Sequence, residues 1–195
     1  MTLPDLMNST DKQTTVSNVK EAYSIFTQAT SQINNDCGGD ITGCLSNPNA
    51  PGDNAAANAD VANLYRQKLS VAKDCPTSAT TGCFADTTYK FLNNTPWTNF
   101  GTNAVYDNTR MVLANGTSVC FEWYGPTTLP PYYFFIYIDV NGTKAPNQIG
   151  KDTFTFYYNM NQKLVVLRSD NDCNTSSNGL ACAAKIIQEG AINYY

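Results

Sequence analysis

The chain has 195 residues, 42% of them hydrophobic and 12% aromatic, with 12 basic side chains against 16 acidic ones and a formal net charge of -4. These totals supply a single domain with a substantial core. They argue against a nucleic-acid partner, which needs a basic footprint. Only 14% of residues are charged, against about 25% in an ordinary soluble domain. Asn, Thr, Ser and Tyr carry the polarity instead, as suits an extracellular surface. Histidine is absent, which excludes Ser-His and Cys-His nucleophile pairs.

In chain order, residues 3–36 carry the first helix. Val16, Val19, Tyr23, Phe26, Thr30 and Ile33 fall at three- and four-residue steps on one stripe. Ser17, Glu21 and Gln28 lie opposite, with Ile25 outside the stripe, and the first two turns are polar apart from Leu6 and Met7. Asp36-Cys37-Gly38-Gly39 ends the helix. Residues 37–104 are read as a connecting region with a small helix at about 55–73, its stripe formed by Val61, Leu64, Tyr65, Leu69 and Ala72. Phe84, Phe91, Trp97 and Phe100 are its expected anchors against a core.

Residues 105–168 read as an antiparallel sheet of four to five strands. Asn115-Gly116 between two apolar runs signals a hairpin with a two-residue turn. In its second strand Val119, Phe121 and Trp123 alternate with Cys120, Glu122 and Tyr124. "YYFFIYID" is apolar on both faces and so central. "DTFTFYY" alternates Phe154, Phe156 and Tyr158 with Thr153, Thr155 and Tyr157, and "KLVVLR" follows. Residues 169–195 form a Cys-bracketed C-terminal region, where "ACAAKIIQEG" is a short helix or an edge segment. The expected fold class is α+β, a long N-terminal amphipathic helix packed on one face of the sheet within one domain spanning 1–195.

Cys37 and Cys44, Cys75 and Cys83, and Cys173 and Cys182 bracket three short loops, and Cys120 stands alone in an apolar strand. Three short-range disulfides and one buried thiol are the simplest arrangement, although spacing alone leaves connectivity open. Closing such loops stabilises by roughly 2–3 kcal/mol each and requires an oxidising compartment. Zinc is disfavoured, because there is no His and no C-x-x-C. No apolar run approaches the roughly 20 residues of a membrane span, and no signal peptide is visible. This conflicts with export and disulfides, and one resolution is that the natural N-terminus has been removed, in which case Met1-Thr2 would be an added start and Leu3 the first native residue.

The most patterned stretch is "DVNGTKAPNQIGKD", residues 139–152. Asp139, Asn141, Asn147 and Asp152 offer side-chain oxygens, and Thr143 or Gly150 a backbone one, to a Ca²⁺ ion. The spacing does not match an EF-hand. The favoured alternative is that these Asp and Asn residues cap their own turns by accepting from nearby N–H groups; a catalytic carboxylate pair is the remaining reading, although nothing in the sequence suggests the sugar cleft it would need. No other cofactor is expected. Two Ser-x-x-Lys pairs, Ser17/Lys20 and Ser70/Lys73, and Ser169-Asp170-Asn171 evoke Ser-Lys chemistry, but the accompanying K-T-G is missing. Cys120 fits a buried small hydrophobe better than a reactive thiol. No enzymatic activity is expected. Asn-x-Ser/Thr at Asn8, Asn93, Asn115, Asn141 and Asn174 is unremarkable in so Asn/Thr-rich a chain. Tyr132, Tyr133, Tyr137, Tyr157, Tyr158, Tyr194 and Tyr195 are read as sheet core, with an exposed binding platform as the alternative.

With "LPDLMNSTDKQTTVSNVKEAYSIF", the sheet, the Cys173–Cys182 bracket and the D-x-N-G…PN…G-x-D loop in this order, the whole chain resembles the globular part of a type IV pilin-like protein, a class that includes pilins and the pseudopilins of type II secretion. The resemblance implies a structural subunit that polymerises with copies of itself or related subunits into an extracellular, cell-surface filament. It also implies a bacterial inner-membrane anchor before assembly, and contact with the inner-membrane assembly machinery through an apolar N-terminal segment not seen here. The other reading is a secreted or surface-attached adhesin module that binds carbohydrate or protein.

Overall fold

A computed structural model describes residues 3–52, 54–75, 82–98, 100, 109–128, 131–168 and 172–195, with backbone only at 3–9, 128 and 132. Helix α1, Leu3–Asp36, is 34 residues long. Its buried face is the expected stripe with Ala22 and Ala29 added, while Tyr23 is half-buried. The polar member of the stripe is satisfied locally: Thr30 donates to the Phe26 carbonyl and meets the Tyr65 hydroxyl at 2.5 Å. Gly38 and Gly39 then take φ of 78° and 101°, which only glycine adopts freely, and Gly39 N–H closes the helix end on Asn34 O.

A 3₁₀ turn at Ile41–Cys44 is capped by the Asp40 carboxylate. Helix α2, Ala55–Arg66, is capped by Asn54, whose side chain accepts from Ala57 N–H. It stops well before residue 73, which corrects the sequence expectation. Lys68 and Leu69 N–H turn back to Tyr65 O, and Val71–Cys75 becomes strand β1. Leu69 and Ala72 continue the helical spacing by coincidence; pairing of β1 with Arg110–Leu113 overrides it. The exposed Lys73 and Asp74 mark β1 as a charged edge, and Arg66 reaches from α2 to pair with Asp74 at 2.9 Å.

Tyr89–Lys90 (β2) and Pro96–Trp97 (β3) form a small separate hairpin. The main sheet adds β4 (Arg110–Leu113), β5 (Ser118–Trp123), β6 (Tyr132–Asp139), β7 (Thr153–Asn159) and β8 (Leu164–Val166). A single turn of helix, α3 (Gly125–Thr128), interrupts the meander, and α4 (Cys182–Glu189) follows it. The strand order is β1-β4-β5-β6-β7-β8, with every pair antiparallel. There are thus six strands where four to five were expected, the extra one being β1. The β4–β5 turn also differs from expectation. Leu113 N–H bonds Thr117 O, and Gly116 N–H returns to Leu113 O. The loop is therefore three residues, with Gly116 alone at positive φ.

One sheet face carries Met111, Val119, Phe121, Trp123, Phe134, Ile136, Phe154, Phe156 and Tyr158 against α1 and α2. The other carries Cys120, Phe135, Tyr137 and Tyr157 and is not solvated: Phe84, Tyr89, Phe100 and the Cys75–Cys83 bridge cover it. Of the anchors expected in the irregular region, Phe84, Phe100 and Trp97 thus build a second core, while the part-buried Phe91 stacks on Trp97. The disulfides are Cys37–Cys44, Cys75–Cys83 and Cys173–Cys182, and Cys120 is a buried free thiol. These bonds place the chain outside a reducing cytosol. Among the described residues no helix is long and apolar enough to cross a membrane.

Phe26 is fully buried and touches the rings of Tyr65, Phe121 and Phe156. Phe26→Ala should lower unfolding free energy by about 3–5 kcal/mol in denaturant titration, whereas Leu164→Ala, at a side chain 47% exposed, should change it by less than about 0.5 kcal/mol.

Candidate functional site

The β6–β7 connection brings together all four residues singled out as cation ligands. Two of them are carboxylates withdrawn from solvent, Asp139 being fully buried and Asp152 nearly so. Asp139 sits there because it ends the central strand β6, paired with Thr153 at the start of β7. The loop leaves the sheet through Asn141-Gly142, turns through a cis Ala145–Pro146 bond and returns through Asn147 at φ 54°. Gly150, at φ 81°, packs so closely that a Cβ there would stand 3.1 Å from Cys182 Sγ.

Each carboxylate faces donors. Asp152 accepts Gln148 N–H and Asn147 N–H, both at 2.7 Å, on its two oxygens, and Asn141 Nδ2 adds a bond at 3.3 Å. Asp139 accepts Asn141 N–H at 3.2 Å and the Tyr89 hydroxyl at 2.8 Å. Thr153 Oγ1 stands between the two acids, 3.5 Å from Asp139 and 3.3 Å from Asp152. Burial, and then the charge of Asp152, push the Asp139 carboxyl well above the usual range. Burial raises Asp152 as well, opposed by its N–H donors. Tyr89 is pushed up by burial and by Asp139, so it remains a donor at any ordinary pH.

This is the geometry of a carboxylate-capped turn. The loop in turn holds its surroundings. Lys90 N–H bonds Asn147 O and Ile149 N–H bonds Lys90 O, stitching β2 to the loop. Gln148 Nε2 donates to the carbonyls of Phe91 and Leu92. Asn18 Nδ2 of α1 donates to Val140 O, and the Tyr194 hydroxyl to Gly150 O. As ligands for a hard cation, the unengaged atoms are Asn141 Oδ1 and Asn147 Oδ1, both buried without a hydrogen-bond partner. Ca²⁺ would have to join these to carboxylate lone pairs the N–H donors leave free. Among the described residues no third Asp, Glu, His or Cys joins the two acids in a metal-sized group.

The other sequence candidates are dispersed. Ser17, Lys20, Ser70 and Lys73 are exposed, and Ser169-Asp170-Asn171 lies outside the described residues. Cys120 is buried, its thiol pushed up to about 12 by desolvation, and it neighbours Thr109 Oγ1 at 3.3 Å. Asn93, Asn115 and Asn174 accept the N–H two residues ahead and shape their own turns. Among the described side chains no tyrosine platform forms: Tyr137, Tyr157 and Tyr158 are core, Tyr133 and Tyr194 are part-covered, and Tyr195 is 40% exposed, while the side chain of Tyr132 lies outside the described residues. Sequence reasoning missed Tyr89, which reaches Asp139 from 50 residues away; its stretch had no period to mark it. Comparison with known protein families, characterised proteins and solved structures finds no match to this chain.

Two measurements follow from the buried acids. The folded state holds the Asp139 proton more tightly than the unfolded chain, whose carboxyl titrates near about 3.9. Its contribution is therefore full below that value and is lost as pH rises through the raised folded-state value. Denaturant titrations should show wild-type stability falling from pH 4.5 towards neutrality, and Asp139→Asn should flatten that slope. A capped turn also predicts that EDTA leaves the melting temperature unchanged and that added Ca²⁺ gives no heat in calorimetry. A Ca²⁺-dependent rise in melting temperature at pH 7.5 would instead assign the four residues to a cation.

Proposed function

We propose that this chain is the globular part of a type IV pilin-like subunit, a structural protein that polymerises with its own copies or related subunits into a cell-surface filament. The observation that carries the reading is the shape of α1. A helix of 34 residues is about 51 Å long at 1.5 Å per residue. Among the side chains described, from Thr10 onward, its buried positions run from Val16 to Asn34. The polar turn from Thr10 to Thr15 lies beyond the buried stripe and is exposed or half-exposed. A filament needs such an arrangement: one end of the helix fixed in a sheet, the other available for head-to-tail contacts that propagate without closing.

Other features agree with it. Three disulfides staple the loops around the sheet, and a weakly charged, Asn/Thr-rich surface suits an exposed outer layer. The β6–β7 loop carries the D-x-N-G…PN…G-x-D pattern of the resemblance and ties helix, sheet and C-terminal segment together. In this reading the loop is architectural, and the filament's assembly machinery meets an apolar segment preceding Leu3.

The test is where the protein resides. Filaments sheared from the cells that make it should contain this chain by mass spectrometry, and antibodies to the folded domain should decorate them along their length. Recovery solely as a free monomer in the culture fluid, with no decoration, would overturn the proposal in favour of a secreted adhesin module.

A further inference from the structure

Asn-Gly occurs three times in the chain, at Asn115, Asn141 and Asn178. The dipeptide carries a latent reaction, because glycine has no Cβ to shield the backbone nitrogen that follows the Asn side chain. That nitrogen attacks the Asn Cγ and loses its proton to water. A C–N bond forms, the Cγ–Nδ2 bond breaks and ammonia leaves, closing a succinimide ring. Water then opens the ring, at Cγ to give Asp or at the backbone carbonyl to give isoaspartate. The sum exchanges an amide for a carboxylate at the expense of water, with no oxidant or cofactor.

The fold treats the three steps differently. All three glycine N–H groups have an acceptor, so the attacking atom does not separate them. Room for the ring and access for water do. Asn141 is half-buried, with Oδ1 enclosed and Nδ2 held by Ala145 O and Asp152, both at 3.3 Å. A Cβ on Gly142 would stand 3.2 Å from Gly116 O. Gly179 is buried within the loop closed by Cys173–Cys182, and a Cβ there would stand 2.7 Å from Leu92 Cβ. By contrast Ala114, Asn115 and Gly116 are exposed, and a Cβ on Gly116 would meet nothing within 4 Å. Thr117 N–H donates to Asn115 Oδ1 at 3.1 Å, the oxygen on which negative charge develops during attack. Asn178 Oδ1 has such a donor in Leu180 N–H at 3.0 Å, but lacks the space.

Asn115 is also a tie between elements. Its Nδ2 donates to Glu21 Oε1 of α1 at 3.1 Å. A carboxylate in place of that amide cannot donate, and it faces Glu21 with like charge. Lys68, which lines the same groove as Asn115 and Glu21, is already paired with Asp36. We propose that Asn115-Gly116 is a site of spontaneous deamidation, and that the carboxylate it leaves releases the β4–β5 turn from α1. The reaction is complete within one folded copy, so it stands whether or not the protein polymerises.

Ageing the folded protein in mildly alkaline buffer, below its melting temperature, followed by peptide mapping with mass spectrometry, tests the site. Asn115 should deamidate at least about fivefold faster than Asn141 or Asn178, which must first open locally. The three rates should converge in the chain unfolded by guanidinium, where only the shared dipeptide remains. Asn115→Gln should remove the fast-forming acidic species seen by ion exchange. Asn115→Asp, the product made directly, should lower the melting temperature by about 1–3 °C at low salt. Adding Glu21→Gln, which can donate to that Asp, should recover most of the loss. An intact Asn115 in the aged protein, Asn141 or Asn178 keeping pace with it, or the same preference in the unfolded chain would overturn the site. Asn115→Asp as stable as the wild type would overturn the release.

Discussion

Strands β5, β6 and β7 have no solvent side, and much of the rest of the structure follows from that constraint. A sheet buried on one face needs one cover; this one needs two. On the first face α1 and α2 supply the cover, with Phe26 and Tyr65 set among Phe121, Phe134 and Phe156. On the second, the cover is built from segments with little regular structure: Phe84, Tyr89, Trp97 and Phe100 cluster over Tyr137, edge to face except for the stacked Trp97–Phe100 pair. Helices hold their own backbone bonds and can lie on a sheet unaided. An irregular cover cannot, which gives a physical reason for the Cys75–Cys83 staple and for the backbone stitching of Lys90 to the β6–β7 loop.

That loop is where the two covers meet. Asn18 reaches it from the helical side and Tyr89 from the irregular side, with Tyr194 arriving from the C-terminal segment. Two buried acids at such a junction cost desolvation and mutual repulsion. They are tolerated because donors converge on them from the loop itself, from Thr153 and, at Asp139, from Tyr89 of the second cover. The same acids that read as cation ligands in the linear sequence accept from their own loop and from Tyr89, while the helix and the C-terminal segment are held by the loop carbonyls of Val140 and Gly150.

What was legible in the sequence was local and periodic. The α1 stripe, the alternation of Val119-Phe121-Trp123 with Cys120-Glu122, and that of Phe154-Phe156-Tyr158 with Thr153-Thr155-Tyr157 are each set by the geometry of one element. They appear in the structure on the expected faces. Disulfide partners less than ten residues apart were legible for the same reason. The failures were nonlocal. Residues 71–75 kept helical spacing, and only their pairing with a strand some 40 residues on makes them β. The turn at Asn115-Gly116 was located correctly, but its length depended on the register of the strands. The convergence of Asp139, Asn141, Asn147 and Asp152 was visible in the sequence; that their oxygens would face N–H groups and Tyr89 was not, because those partners are placed by the loop's path and by the second cover.

The placement of the seven cysteines bears on how the chain reaches its oxidised state. Each bridge spans 7, 8 or 9 residues, so the partners meet by closure of a short loop, before any long-range contact is needed. The unpaired seventh, Cys120, lies in β5 between two neighbouring strands, and closing the sheet removes it from solvent and keeps it protonated. Thiol–disulfide exchange requires an accessible thiolate. Once the sheet has formed, the one group able to scramble the bridges is shut away, so the fold itself guards the pairing that local chain closure selects.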